Sequence, residues 1–307
     1  TGNTLCDQKQ PLLLESIRVP QTVIAVRLTA KNRDEEERLA HAISRLALED
    51  PSLQVRHDDV TSDFVISGMG ELHLDIVVDR LKTEFNLQCA VGAPSVAYHE
   101  AMSKTVQVEV KHVKQTGGHG QYAHVVMSFG PCEGKELEFI SEVRAGRVPA
   151  DYFPAIQKGI LDGMAAGPLT GSKVTGIRAI LIDGSDHPVD SSDLAFRTAA
   201  NKAFKEAFLK GAPRMLEPIM KLEIATPDEY IGSILGDLGS RRANVLAMRR
   251  YRKGSQKIEA LVPLGEMFGY STPLRTMSSG RANFAMEFNG YQVVPASVQE
   301  KLVLAKK

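Results

Sequence analysis

Cysteine is scarce: Cys6, Cys89 and Cys132 are the only three in 307 residues. Odd in number, widely spaced and without a Cys-x-x-Cys pair, they support neither a disulfide framework nor a cysteine-rich metal site, and read as small, mostly buried thiols. Long apolar runs are absent too. Nothing is long enough to span a bilayer, and residues 1–10 are neither basic nor apolar enough for a signal peptide, so the sequence reads as cytoplasmic, with no membrane partner. There is no Gly-x-x-x-x-Gly-Lys-Ser/Thr run. Without that phosphate cradle and its metal-binding hydroxyl, the chain is expected not to hydrolyse a nucleoside triphosphate by itself, and no catalytic residue is assigned.

Net charge is also missing, at +0. The total hides a gradient: residues 1–92 hold ten Lys/Arg against fifteen Asp/Glu, residues 93–215 fourteen against thirteen, and residues 216–307 thirteen against nine. An acidic start and a basic end suit an elongated molecule that offers part of its surface to a polyanion. The composition, 43% hydrophobic and 24% charged, is that of an ordinary globular protein, and the length predicts two or three domains.

The elements alternate from Pro20 onward. Strands are predicted at 23–29, 53–56, 64–67 and 87–91, with helices at 34–49 and 71–85; the second helix is read with Leu72, Ile76 and Leu81 near one face. This β-α-β-β-α-β order is the split βαβ arrangement of ferredoxin-like domains. It returns near the end, with strands at 220–225, 245–251, 257–262 and 284–288 and helices at 228–238 and 264–277. The middle differs: strands at 105–113 and 122–128 joined by a polar loop, a strand at 174–182, and helices around 153–166 and 194–210. A short final helix covers 295–307.

The stretch between the last two middle elements reads Gly184-Ser-Asp-His-Pro-Val-Asp-Ser-Ser-Asp193, an exposed strand-to-helix turn. Asp190 is the N-cap candidate, Asp193 suits the helix dipole, and Pro188 holds His187 extended. Asp186, His187, Ser191 and Ser192 contain the residue types of a hydrolase triad. Adjacent Asp and His in one turn orient each other poorly, however, and no Gly-x-Ser-x-Gly elbow is present. His112 and His124 fall on opposite strands, with His119 about 13 Å beyond them at strand rise, so a shared metal ion is not expected; His73 reads as structural. Gly117 to Gly120 read as a tight turn, opening no helix. Arg241, Arg242, Arg249, Arg250, Arg252 and Lys253 form the one dense basic group, beside Tyr251. On these residues alone a solvated face and a phosphate-binding face are both open.

Long stretches in the right order resemble elongation factor G: Gly68-Met-Gly-Glu-Leu-His-Leu-Asp-Ile76, Gly117-Gly-His-Gly-Gln-Tyr122, His187 to Ser192, Leu216-Glu-Pro-Ile-Met220 and Pro263-Leu-Gly-Glu-Met-Phe-Gly-Tyr270. The resemblance covers essentially the whole chain. It implies an α+β protein with two ferredoxin-like domains flanking a ribosomal-S5-like domain: a tail of domain II at 1–10, domain III at 11–92, domain IV at 93–215, domain V at 216–291, and a C-terminal helix at 292–307 packing on domain IV. It implies a monomer whose partners are the ribosome, ribosomal RNA and the tRNA–mRNA of the decoding region. GTP and Mg²⁺ would belong to a preceding GTPase domain, with no cofactor or metal in this chain, and the abrupt start at Thr1 reads as that of a fragment. The implied ribosome-contacting tip is Asp186, His187 and Pro188 with Gly118, His119, Gln121 and Tyr122, and the implied RNA-contacting basic group is Arg241, Arg242, Arg249, Arg250, Arg252 and Lys253. The implied function is promotion of tRNA–mRNA translocation, with a recycling or ribosome-protection paralogue, or a free-standing RNA-binding module, as alternatives.

Some positions depart from the family pattern. Pro188 stands where an acidic residue is common and His119 where Arg is common. Gly239-Ser-Arg-Arg-Ala243 lacks one Arg of a Ser-Arg-Arg-Arg-Gly stretch, and Ala243 replaces its glycine. A lost guanidinium removes bidentate phosphate recognition.

Overall fold

A computed structural model describes residues 6, 7, 9, 22, 24–58, 63–92, 95–115, 120–143 and 147–305. In chain order the elements are β1 (Ile24–Thr29), α1 (Arg33–Glu49), β2 (Gln54–Asp58), β3 (Asp63–Gly68), α2 (Glu71–Thr83), β4 (Ala90–Val91), β5 (Ser95–Val96), β6 (His99–Met102), β7 (Val106–Lys114), β8 (Gln121–Pro131), β9 (Leu137–Ser141), α3 (Phe153–Ala165), β10 (Lys173–Val174), β11 (Ile177–Ser185), α4 (Asp193–Lys210), β12 (Pro213–Pro227), α5 (Ile231–Ser240), β13 (Asn244–Arg252), β14 (Ser255–Pro263), α6 (Ser271–Met277), β15 (Asn283–Val293) and α7 (Ala296–Ala305). They group into two compact units, Thr1–Ala97 with Pro218–Tyr291 and Tyr98–Glu217 with Gln292–Lys307.

In the first unit, the antiparallel order β2-β3-β1-β4 is that of a ferredoxin-like sheet. Alternation sends Ile24, Val26 and Leu28 of β1 into the core. Asn32 caps α1 by accepting the Glu35 N–H at 2.8 Å, and Leu39, Ala42, Ile43 and Leu46 fill its inner face. The face predicted for α2 is corrected. Leu74, Val77 and Leu81 are buried, whereas Leu72 and Ile76 are 72% and 52% exposed. At about 100° per residue, Leu72 stands half a turn away from Leu81. The strand expected at 87–91 shrinks to β4: Asn86 turns left-handed at φ 51°, and the Leu87 N–H closes back on the Leu81 carbonyl at 3.0 Å.

The same unit holds four strands of a second sheet. β12 lies between β14 and β15, and β13 forms the edge beyond β14. Leu222, Ile224, Ile258 and Val262 pack there against Ile234, Leu238, Tyr270 and Leu274. The helix expected at 264–277 is broken into a 3-10 turn, Leu264–Glu266, and the short α6, because Gly269 at φ 65° reverses the chain between them.

In the second unit, β7-β8-β11-β9 form a four-stranded sheet covered by α3 and α4. Val125, Met127 and Phe129 of β8 and Phe196, Phe204 and Phe208 of α4 are fully buried. The strand predicted at 174–182 divides into β10 and β11 at Gly176, φ 70°. The fully buried Glu100 carboxylate on β6 accepts the Leu169, Thr170 and Ser172 N–H groups at 3.1, 2.8 and 3.2 Å and the Thr170 hydroxyl at 2.9 Å. A buried charge is tolerable when its lone pairs are filled in this way. α7 belongs to this unit, and Gln299 Oε1 accepts the Met215 N–H at 3.0 Å.

Candidate functional site

Two loops meet at one end of the β7-β8-β11 sheet: the turn after β11 and the start of β8. Their junction is made of hydrogen bonds. Asp190 Oδ1 accepts the Gly120 N–H at 3.0 Å, the Asp190 carbonyl accepts the Tyr122 N–H at 2.8 Å, and the Ser191 hydroxyl donates to the Tyr122 carbonyl at 2.8 Å. The cap assignment therefore moves. Ser192, extended at φ −154°, is the N-cap of α4 and accepts the Ala195 N–H at 3.3 Å, which frees Asp190 to bind the opposite loop.

Within the turn, the His187 N–H donates to Ser191 Oγ at 2.8 Å, and the Asp190 and Val189 N–H groups approach His187 Nδ1 at 3.2 and 3.3 Å. Two donors aimed at Nδ1 make it an acceptor and put the ring proton on Nε2. Asp190 Oδ2, 3.5 Å from the same nitrogen, would favour the opposite tautomer, but it is farther away and single. Asp186, His187, Pro188 and Val189 are exposed. Neither serine serves His187 as a nucleophile: Ser191 Oγ is occupied by the His187 N–H and the Tyr122 carbonyl, and Ser192 Oγ by the helix.

Tyr122 joins the cluster, its ring 6.0 Å from that of His187. Its hydroxyl meets Ser185 Oγ at 2.9 Å, Ser185 Oγ meets His124 Nδ1 at 3.2 Å, and His124 Nε2 meets Glu109 Oε1 at 2.9 Å. Beside it, Gln121 Oε1 lies 2.9 Å from His112 Nε2, and Lys202 Nζ lies 3.2 Å from His112 Nδ1. His112 and His124 sit on neighbouring strands and bond to different partners. His73 bonds to Asp50 Oδ2 at 2.9 Å. The structure thus brings together Asp186, His187, Pro188, Gln121 and Tyr122; Gly118 and His119 lie outside the described residues. Sequence reasoning missed the Glu109-His124-Ser185-Tyr122 chain, whose one signal was strand alternation placing His124 and Tyr122 on the same face.

The basic group splits in two. Arg241 pairs with Asp237 at 2.8 Å, donates to the Glu266 carbonyl and lies over the Tyr270 ring at 4.8 Å. Arg242, left-handed at φ 59°, meets Glu266 Oε1 at 3.0 Å. Arg249, Arg250, Arg252 and Lys253 are exposed on the edge strand β13 and its turn. Arg252 lies over Tyr251 at 5.1 Å, and Arg249 stands 3.7 Å from Glu259.

Residues 19–93, 94–212 and 214–302 match three family models: Elongation Factor G, domain III; Elongation factor G, domain IV; and Elongation factor G C-terminus. The chain belongs to the elongation factor G family. It is 51% identical over 306 residues to Elongation factor G of Thermotoga maritima, spanning 99% of this chain and 44% of that protein. It is 48% identical over 304 residues to that of Fervidobacterium nodosum, with the same coverage. A crystal structure from Thermus thermophilus matches at TM-score 0.76 and 35% identity, covering 97% of this chain and 45% of that one. The chain therefore spans less than half the length of each of these proteins. Both loops of the site lie in the stretch matched to elongation factor G domain IV, and the basic group lies in the stretch matched to the C-terminus.

Proposed function

We propose that this chain is the ribosome-binding part of a translational GTPase that promotes tRNA–mRNA translocation in the cytoplasm. In this reading it acts as a monomer, with residues 11–92, 93–215 and 216–291 as domains III, IV and V, and GTP and Mg²⁺ are held by a preceding domain. The observation that carries the reading is the bonded junction of Asp190, Ser191 and Tyr122, which holds Asp186, His187 and Pro188 exposed on a braced turn. A probe of that kind needs no covalent chemistry. It inserts into a space, and its imidazole N–H and backbone groups bond to RNA oxygens by shape and position. Gly118 and His119 would extend the probe, and the exposed Arg249, Arg250, Arg252 and Lys253 would lie against ribosomal RNA.

The test is single-round translocation by the full-length factor. His187→Ala should slow it by about tenfold, the loss of one well-placed polar contact in the transition state. An unchanged rate would sink the assignment. GTP-dependent ribosome binding with no translocation by the unmodified factor would transfer the same tip to a recycling or protection role.

A further inference from the structure

Gln121 opens β8 at the tip, and the polarity of its amide is set from below. The His112 ring, 7% exposed, stands between Gln121 and helix α4, with Nε2 2.9 Å from Gln121 Oε1 and Nδ1 3.2 Å from Lys202 Nζ. A lysine ammonium has donors only, so Nδ1 must accept. A neutral imidazole then carries its one proton on Nε2, and Nε2–H must donate. The atom facing it has to be the amide oxygen, which leaves the amide NH₂, with two donors, on the side away from His112. Without Lys202 the ring could hold its proton on either nitrogen, and the amide could present either end.

We infer that Lys202 and His112 are positioning residues that make Gln121 a donor-only contact, matched to the acceptor oxygens of an RNA backbone. The chemistry excludes a base-edge donor such as an exocyclic amine as the preferred partner, because that would need the amide oxygen outward. The ligand half of the inference rests on the proposed function; the polarity stands on geometry alone.

The two halves separate experimentally. In this 307-residue chain with ¹⁵N-labelled histidine, long-range ring N–H correlations should show His112 protonated on Nε2. In K202M, the Nδ1–H form should appear. A wild-type Nδ1–H ring, or a ring unmoved by K202M, would overturn the relay. In the full-length factor, K202M should slow single-round translocation several-fold, up to about tenfold, K202R should stay near wild type, and K202M in a Q121A background should be no slower than Q121A. Losses that simply add would show Lys202 acting on its own and overturn the relay. A Q121A factor at the wild-type rate, with His112 still protonated on Nε2, would support the polarity and refute the RNA contact of Gln121.

Discussion

Asp190 Oδ1 accepts the Gly120 N–H at 3.0 Å, a bond between loops seventy residues apart. The carboxylate thus belongs to the junction and not to the helix it precedes, and removing it should loosen one loop while leaving α4 intact. Asp190→Ala should speed hydrogen exchange at Gly120 and Tyr122 and cost about 1 kcal/mol, with amides inside α4 unchanged. Ser192→Ala should do the reverse, fraying the first turn of α4 for about 1 kcal/mol.

Gly159 of α3 sits where an added Cβ would collide with the Arg197 carbonyl oxygen of α4, and one turn on, a Cβ at Gly163 would come 2.6 Å from Phe204 Cδ1. The two helices approach this closely because both positions lack a side chain. Gly159→Ala forces backbone apart and should cost about 3 kcal/mol, despite the gain in helix propensity. Thermal unfolding of the single variants would measure it, with Gly163→Ala the milder because a ring edge can shift.

His99 on β6 lies in register beside Lys173 of β10 and Leu216 of β12. Burial, with the Lys173 ammonium second, pushes its imidazole down to about 4. An unfolded histidine titrates near 6.5, so between these values the unfolded chain binds more protons. Stability at this site is therefore complete above about 6.5 and lost as the pH falls toward about 4. The loss should reach roughly 2 kcal/mol after allowance for the ring's partial exposure. Chemical denaturation at a series of pH values should give a shallower slope in that window for His99→Gln.

Arg241 and Arg250 look alike in sequence and should fail differently. Arg241→Ala removes the Asp237 pair, the Glu266 carbonyl bond and the stack on Tyr270, and should cost about 2 kcal/mol in thermal unfolding. Arg250, exposed on β13, should leave stability within about 0.5 kcal/mol when changed to Ala. At the proposed RNA face the same change should instead lower the salt slope of ribosome binding by about one.

Period and punctuation made most of the fold legible. Alternation and helical spacing place both split βαβ modules, and the strand-turn-helix reading found the turn that carries His187. What escaped had two physical causes. Left-handed residues such as Asn86, Gly176 and Gly269 cut elements that pattern alone runs together. In Asp190-Ser191-Ser192 three capping residues stand in a row, and only the approach of Gly120 and Tyr122 decides which one caps. The split of the basic group was likewise invisible, since Asp237 and Glu266 reach Arg241 and Arg242 through the fold.

Glu100 has a consequence for how the protein opens. Four donors from residues 169–172 converge on its one carboxylate, so losing that group strips all four bonds at once. The loop's amides are latched together and should come loose together, in a single cooperative event whose frequency β6 sets from a distance in sequence. Glu100→Gln, which keeps the shape but lacks the charge and turns a donor toward other donors, would release the whole latch at once.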